Sequence, residues 1–231
     1  MDLKHKASSH GDTSRDDAPQ SGAPQSGAPQ GGGALRDPST GAQIRVGVMG
    51  SAADGISDAV QAQCRALGRT IAEQGCCLLT GACPGQPHEA VLSAQTAGGH
   101  VVGISPGASL AEHVATFDSP YREYDIMIYT GLGLMGRELV NIRSSDIIVV
   151  VGGRSGTLGE FAIAFEEGKL IGVLTGTGGI TDVIPAVEER LHKATGAEVL
   201  YDSDPQRLID RLLKSYWEKA PAAQDVAPSA T

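Results

Sequence analysis

A buried strand that runs through a glycine-rich turn straight into a helix constrains the fold of this chain more than any other feature. Residues 146–151 end in an unbroken run of Ile and Val, which predicts a strand covered on both faces of a sheet. The turn that follows contains Gly152 and Gly153, and helical spacing starts at Thr157. A strand, a tight turn and a helix in this order form the repeating unit of α/β folds.

The same turn predicts an anion site. Glycine lets the backbone turn tightly and approach a ligand without a Cβ in the way. The helix that follows offers unpaired N–H groups and the positive end of its dipole. Glu160 lies one turn into this helix, beside the expected anion. The alternative interpretation is that the glycine turn only connects the strand to the helix and binds nothing. The residues expected to bind a phosphate here are Gly153, Arg154, Ser155, Gly156 and Thr157.

Strand and helix patterns alternate over most of the chain. Strand patterns lie at residues 44–49, 76–80, 100–104, 125–129, 146–151, 170–174 and 198–201. Helical patterns lie at residues 56–74, 87–97, 137–143, 157–167, 182–195 and 205–219. Because right-handed crossovers place helices over both faces of a parallel sheet, the order predicts a single α/β domain with a Rossmann-like, doubly wound parallel sheet.

Glycine-containing loops follow four of these strands, at Gly50, Gly81, Gly131 and Gly152. The carboxyl ends of parallel strands meet at one edge of a sheet, and ligands bind outside that edge. We therefore expect the four loops to converge on one crevice. Within it, Gly50, Ser51 and Gly81 are predicted to contribute to a nucleotide site with the phosphate-binding turn.

The two ends of the chain differ from its middle. Residues 1–43 contain almost no large apolar side chains and repeat the sequence Ala-Pro-Gln-Ser-Gly, and residues 220–231 are rich in Ala and Pro. Such segments cannot bury enough apolar surface to offset the entropy of ordering. We predict two disordered tails around a domain at 44–219, and we expect residues 1–43 to be removable without loss of folding.

Charge and hydropathy exclude several classes of partner. The chain carries 18 Lys and Arg against 27 Asp and Glu, a net charge of −9, with no basic cluster. This balance argues against duplex nucleic acid or an anionic membrane as the partner. No apolar stretch reaches the length of a membrane span, and no apolar signal lies at the N-terminus, so a cytoplasmic small-molecule-binding protein is expected.

Other chemistries find weak support in the motifs. The four cysteines, at positions 64, 76, 77 and 83, match neither a zinc site nor a disulfide framework, although Cys83 lies in a glycine loop and is expected to be accessible. The pair His88-Glu89 lacks the spacing of a metalloprotease helix. Ser155 lacks the flanking glycines of a nucleophile elbow. We therefore predict no metal and no organic cofactor.

The glycine motif resembles a known signature. Residues 153–160 (GRSGTLGE) resemble the PGGxGTxxE motif of the LOG-like family, and residues 135–138 (MGRE) resemble its MxxRK segment. The spacing between these segments is kept without gaps, and further matches extend the resemblance from Ile44 to about Leu213. The departures are Gly152 in place of proline, Gly159 in place of an acidic residue and Glu138 in place of a basic one.

The resemblance implies one of two functions. The best-known LOG-like proteins are phosphoribohydrolases that cleave the N-glycosidic bond of a nucleoside 5′-monophosphate, typically a cytokinin nucleotide. Related branches bind nucleotide-like ligands without cleaving them, and these include molybdenum cofactor carrier proteins. Residues 83–89 differ from the loop of the cytokinin enzymes and are closer to the carrier branch.

The resemblance also implies roles for particular residues. Arg137 and Glu160 are the catalytic candidates, with Glu160 stabilising positive charge on the sugar. We expect Glu160 to be ionised at neutral pH, since it lies near the N-terminus of its helix. Arg143 either contacts phosphate or pairs with a surface carboxylate. A homodimer or larger assembly is implied too, with the helix that carries Phe161 and Phe165 as its expected contact.

Overall fold

Seven parallel strands form one sheet in the order β4-β3-β2-β1-β5-β6-β7 in the computed structural model, which describes residues 33–52 and 56–219. The strands are β1 (Arg45–Gly50), β2 (Cys77–Thr80), β3 (Val101–Ser105), β4 (Ile126–Tyr129), β5 (Ile147–Val151), β6 (Leu170–Leu174) and β7 (Glu198–Asp202). All seven predicted strands are confirmed, as is the doubly wound parallel architecture.

The helices alternate with these strands. They are α1 (Asp58–Glu73), α2 (Gln86–Thr96), α3 (Leu110–Ala115), α4 (Gly133–Ser144), α5 (Ser155–Glu166), α6 (Ile184–Leu191) and α7 (Pro205–Lys219), with a 3-10 helix at Gly179–Asp182. The short helix α3 was not predicted. The single helix predicted at 182–195 is wrong in its bounds, because α6 ends at Leu191 and the next residue, His192, has a left-handed backbone with φ of +42°.

Alternation along β5 divides the core into two clusters, one on each face of the sheet. Ile147, Val149 and Val151 pack with side chains of α1, α2 and α7, whereas Ile148 and Val150 pack with side chains of α4, α5 and α6. Every residue of β5 is buried. The continuous apolar run in the sequence therefore reflects a strand with helices on both sides.

The winding direction reverses between β1 and β5. Gly50 at the end of β1 pairs with Val151 at the end of β5. From β1 the chain winds outward to β4, and from β5 it winds outward in the other direction to β7. The two connections that leave these neighbouring ends diverge, and the divergence opens a crevice at the carboxyl edge of the sheet.

Residues 33–43, predicted to belong to the N-terminal tail, lie against the domain instead. The Leu35 N–H donates to the Gly75 carbonyl at 2.8 Å, and its side chain packs on the core. The Tyr216 hydroxyl donates to the Asp37 carboxylate. The predicted boundary between tail and domain at residue 43 is therefore wrong, and the domain includes residues from 33 onward in the described chain. The remaining parts of the predicted tails, residues 1–32 and 220–231, lie outside the described residues.

These contacts predict a difference between two truncations. Removing residues 2–43 takes away the Leu35 and Asp37 contacts, whereas removing residues 2–32 leaves them in place. We expect the longer deletion to lower the free energy of unfolding by about 1–3 kcal/mol relative to the shorter one. Urea denaturation of both proteins and of the full chain measures this difference, and equal stabilities would show that the contacts contribute nothing.

Candidate functional site

The crevice between β1 and β5 is a pocket of about 430 Å³, within the range usual for small-molecule sites. Its walls come from the ends of β1 and β2 and from the N-terminal turns of α4 and α5. Nine of the ten predicted site residues line it, namely Gly50, Ser51, Gly81, Arg137, Arg154, Ser155, Gly156, Thr157 and Glu160. The exception is Gly153. The apolar part of the wall includes Met49, Pro84, Pro87, Leu134 and Met135.

Gly153 shapes the turn below the pocket. Its φ is +97°, and a Cβ there would lie 2.4 Å from the Cβ of Thr157. Its carbonyl accepts a hydrogen bond from the Ile180 N–H at 3.0 Å. Glycine is required at this position because the chain must turn within van der Waals distance of the helix that it begins.

The N-terminus of α5 opens into the pocket. Arg154 precedes the helix and makes no side-chain capping hydrogen bond. The first-turn N–H groups of Ser155, Gly156 and Thr157 have no carbonyl partner within the helix, as at every helix start. These donors and the positive end of the helix dipole together form a site for an anion.

The fourth glycine loop lies elsewhere, contrary to the expected convergence. Gly131 donates its N–H to the Gly107 carbonyl at 3.0 Å, so this loop packs on the loop that follows β3. Its contribution is indirect, because it begins α4, whose Leu134 and Met135 reach the pocket wall.

Arg137 is a buried cation with incomplete hydrogen bonding. Its side chain is 7% exposed and crosses Gly81, where a Cβ would lie 1.3 Å from the Nη1 atom. Nη1 donates to the Ile104 carbonyl at 3.4 Å, and Nη2 approaches the Cys83 Sγ at 3.9 Å. Within the described residues Nε has no acceptor. The glycine at position 81 is therefore explained by the guanidinium above it, which is available to bind an anion.

Glu160 is buried in the pocket and is 7% exposed. Burial raises its pKa to about 7; Arg137 and a hydrogen bond from Asn141 lower the pKa, and nearby Glu138 raises it. Glu160 was expected to be ionised at neutral pH, whereas a pKa of about 7 leaves it only partly ionised there. Loss of water around the carboxylate outweighs the helix dipole, and the group exchanges its proton near neutrality.

Glu138 is a site residue that sequence reasoning missed. It is 6% exposed and lines the pocket, and burial raises its pKa while Arg137 lowers it. Its Oε1 and Oε2 atoms lie 3.3 and 3.1 Å from where Cβ atoms would stand on Gly156 and Gly159. Glu138 and Gly159 are both departures from the LOG-like motif, and the structure makes them neighbours. A carboxylate from α4 occupies the space beside α5 where the family has an acidic residue.

Gln86 is a second residue that the sequence did not reveal. Its buried carboxamide accepts from the Ser51 N–H at 3.4 Å and donates to the Thr177 carbonyl at 3.3 Å. A Cβ on Gly152 would lie 2.2 Å from its Oε1, and Gly152 has φ of +51°. Proline cannot adopt this φ. Glycine at position 152 and glutamine at position 86 are therefore parts of one arrangement that joins the loops after β1, β5 and β6.

Arg143 lies on the surface, three of the cysteines are buried, and Cys83 lies at the pocket wall. Arg143 forms an ion pair with Glu167 at 2.7 Å on the surface, so the surface-carboxylate alternative holds in the structure. Burial raises the pKa of the thiols at positions 64, 76 and 77, whereas Cys83 is partly exposed at the pocket wall. Among the described residues no group of three His, Cys, Asp or Glu side chains is arranged to hold a metal ion.

Comparison with known proteins agrees with this architecture. The model of the SLOG cluster4 family matches residues 43–209. The chain belongs to the SLOG cluster4 family. This places it in the LOG-like superfamily that its motifs resemble.

Three relatives illustrate the breadth of this group. Over 109 residues the chain is 36% identical to an uncharacterised protein of Archaeoglobus fulgidus, a stretch that covers 47% of this chain and 66% of that protein, just under two thirds of its length. The X-ray structure of TM1055 is 27% identical, with a TM-score of 0.65 over 75% of this chain and 99% of that one. The molybdenum cofactor carrier protein of Chlamydomonas reinhardtii is 29% identical, with a TM-score of 0.61 over 77% of this chain and 100% of that one.

In the part of the chain that the structure covers, no helix is both long enough and apolar enough to cross a membrane.

The raised pKa of Glu160 predicts how stability depends on pH. The folded state holds this proton up to about pH 7, whereas the unfolded chain releases it near 4.5. The contribution of Glu160 to the free energy of unfolding is therefore fully present below pH 4.5. This contribution, up to about 3 kcal/mol, is lost as the pH rises through 7. Glu160→Gln removes this loss.

Urea denaturation between pH 5 and pH 8 measures the effect, above the range in which carboxyl groups of lowered pKa, such as Asp37 and Asp202, titrate. The exposed Glu166→Gln on α5 is the matched control and should retain the wild-type profile. Parallel profiles for wild type and Glu160→Gln would show that Glu160 carries no proton near neutrality.

Proposed function

We propose that the protein binds a nucleoside 5′-monophosphate in the pocket and hydrolyses its N-glycosidic bond, releasing the free base and ribose 5-phosphate. One observation carries the proposal: a carboxyl group that titrates near neutrality, Glu160, shares a small pocket with a buried arginine and an uncapped helix N-terminus. Each of the three supplies one requirement of the reaction.

The phosphate is assigned to the N-terminus of α5. Three backbone N–H groups and the helix dipole meet there, and Gly156 leaves the approach open. Arg137 supplies a second, permanently cationic group in the same pocket. Together they account for the affinity expected of an anionic ligand without any bound metal.

The reaction adds water across the bond between C1′ and the base. The hydroxide part bonds to C1′, the proton goes to the base nitrogen, and positive charge develops on the sugar as the bond breaks. Glu160 in its carboxylate form can accept a proton from the water or stabilise that charge. A pKa of about 7 suits this exchange at neutral pH.

The second candidate is a carrier that binds a nucleotide-like ligand, such as molybdenum cofactor, without turnover. The observation that favours it is similarity to the Chlamydomonas reinhardtii carrier over that protein's whole length. The Gln86-bearing loop, which differs from that of the cytokinin enzymes, also favours it. Both candidates need the phosphate site, and they differ in what Glu160 does.

Replacing Glu160 separates the two candidates. Incubation of wild-type protein with a panel of nucleoside 5′-monophosphates should release free base and ribose 5-phosphate, detected by chromatography. Glu160→Gln should leave ligand binding within a few-fold and lower turnover by roughly two orders of magnitude or more, as expected when stabilisation of a transition state is lost.

Two other outcomes have clear meanings. If wild type releases base from no nucleotide and Glu160→Gln merely shifts affinity, the protein is a carrier. If the variant turns over as fast as wild type, Glu160 has been given the wrong role. Glu166→Gln again serves as the control.

We further propose that the protein forms a homodimer or larger assembly, through a different surface from the one predicted. Phe161 and Phe165 are buried in the core beside the sheet, so these side chains of α5 are not available for a contact between subunits. Among the described residues most exposed large apolar side chains instead lie on α3, on the edge strand β4 and on α4 with its N-cap: Leu110, Val114, Ile126, Ile128, Tyr129, Leu132, Leu134, Met135 and Leu139. A patch of this kind beside a pocket is typical of a contact between copies.

A charge placed in this surface should disrupt the assembly. Met135 is 72% exposed, so Met135→Glu has little effect on the core but opposes burial against a second copy. Light scattering at micromolar concentration should give a dimer or larger species for wild type and a smaller species for the variant. Val183→Glu, at an exposed apolar residue on another element, should leave the assembly intact. A monomeric wild type would contradict the proposal.

A further inference from the structure

Glu138 is a buried carboxylate to which the described part of the chain offers no hydrogen-bond donor. Its side chain lines the pocket and is 6% exposed. Within residues 33–52 and 56–219 it has neither a hydrogen bond nor an ion pair, and the charged groups that it interacts with at longer range are Arg137 and Glu160. Neither of its oxygens is among the fully buried, unpaired atoms of the described residues, so both are open to the pocket and a ligand there can reach them.

The position of the carboxylate identifies which part of a ligand it meets. Its oxygens lie along the flank of α5, from Gly156 in the first turn to Gly159 three residues further on. A phosphate held by the first-turn N–H groups would lie at the tip. The atoms attached to that phosphate, which in a nucleotide belong to the ribose, then lie beside Glu138.

The charges around Glu138 decide the chemistry of its partner. Glu160 is close enough for Glu138 to raise its pKa, and Arg137 turns away toward Gly81. A second anionic group placed against Glu138 would be repelled. A neutral donor is favoured instead, because a hydroxyl gives a carboxylate a short, charge-assisted hydrogen bond.

We propose that Glu138 accepts hydrogen bonds from the hydroxyl groups of the ribose that carries the phosphate, so that the pocket selects ribonucleotides over their deoxy counterparts. The inference rests on the proposed binding of a nucleoside 5′-monophosphate. It assigns to a residue that departs from the LOG-like motif a direct contact with the ligand, and it makes the loss of the motif's basic residue a gain of sugar specificity.

Binding measurements with three probes test this. Equilibrium dialysis is performed with adenosine 5′-monophosphate, with 2′,3′-dideoxyadenosine 5′-monophosphate and with inorganic phosphate. Every protein tested, including the one that is wild type at position 138, carries Glu160→Gln to suppress turnover, and chromatography confirms that each nucleotide stays intact. Wild type should bind the ribonucleotide roughly 10- to 100-fold more tightly than the dideoxynucleotide. Glu138→Met should bring the two affinities within about three-fold of each other while leaving phosphate binding in place.

Two further variants keep the test decisive. Glu138→Gln retains an acceptor without the charge and should give an intermediate ratio, and the exposed Glu166→Gln should keep the wild-type ratio. The Gln variant should also unfold at a higher temperature than wild type at pH 8, since a buried charge without a partner is removed.

A ratio near one in wild type, or a full ratio in Glu138→Met, would overturn the inference while leaving the phosphate site standing. If no probe binds, inorganic phosphate included, the proposed nucleotide site fails and the inference fails with it. The two failures are therefore distinguishable.

Discussion

The parallel pairing of β1 with β5 is the constraint on which the rest of this structure depends. Five residue pairs join the two strands, ending at Gly50 and Val151. Because the chain winds away from this pair in opposite directions, the two loops that leave it cannot cover each other. The pocket, the uncapped start of α5 and the approach of α4 all follow from that divergence, and the core clusters on both faces hold the pair in place.

Three buried ionisable side chains share the pocket, and their arrangement sets its chemistry. Arg137 is buried over a glycine, burial raises the pKa of both carboxyl groups, and Glu138 raises the pKa of Glu160 further. Removing water from three charged groups destabilises the fold, which the surrounding sheet and helices offset. A site of this kind is held in its charged geometry before a ligand arrives. That is the property which electrostatic stabilisation of a reacting sugar, or tight retention of an anion, requires.

Much of this architecture could be predicted from the sequence, because apolar periodicity and glycine turns are local signals. They identified the seven strands, including the buried run at residues 147–151, and the doubly wound class of the sheet, but not the strand order that places β1 beside β5. These local signals do not predict contacts between segments that are distant in the sequence. The pairing of Leu35 with Gly75 involves a single apolar residue in a polar stretch. Glu138 and Gly159 were each recognised as unusual, but their proximity depends on how α4 packs against α5. The protonation of Glu160 depends on burial that no local pattern records.

The contact between Gln86 and Gly152 bears on how this family can change its sequence. Proline at position 152 would need a different backbone, and the space now holding the Gln86 carboxamide would need a different occupant. Proline at position 152 is not tolerated while Gln86 keeps its place, and replacing Gln86 first removes its hydrogen bonds to Ser51 and Thr177, so either order of change passes through a destabilised intermediate. A designer who introduced the proline of the LOG-like motif at position 152, in the hope of a more stable protein, would displace the carboxamide that joins three loops. Family averages are an unsafe guide wherever two positions share one space.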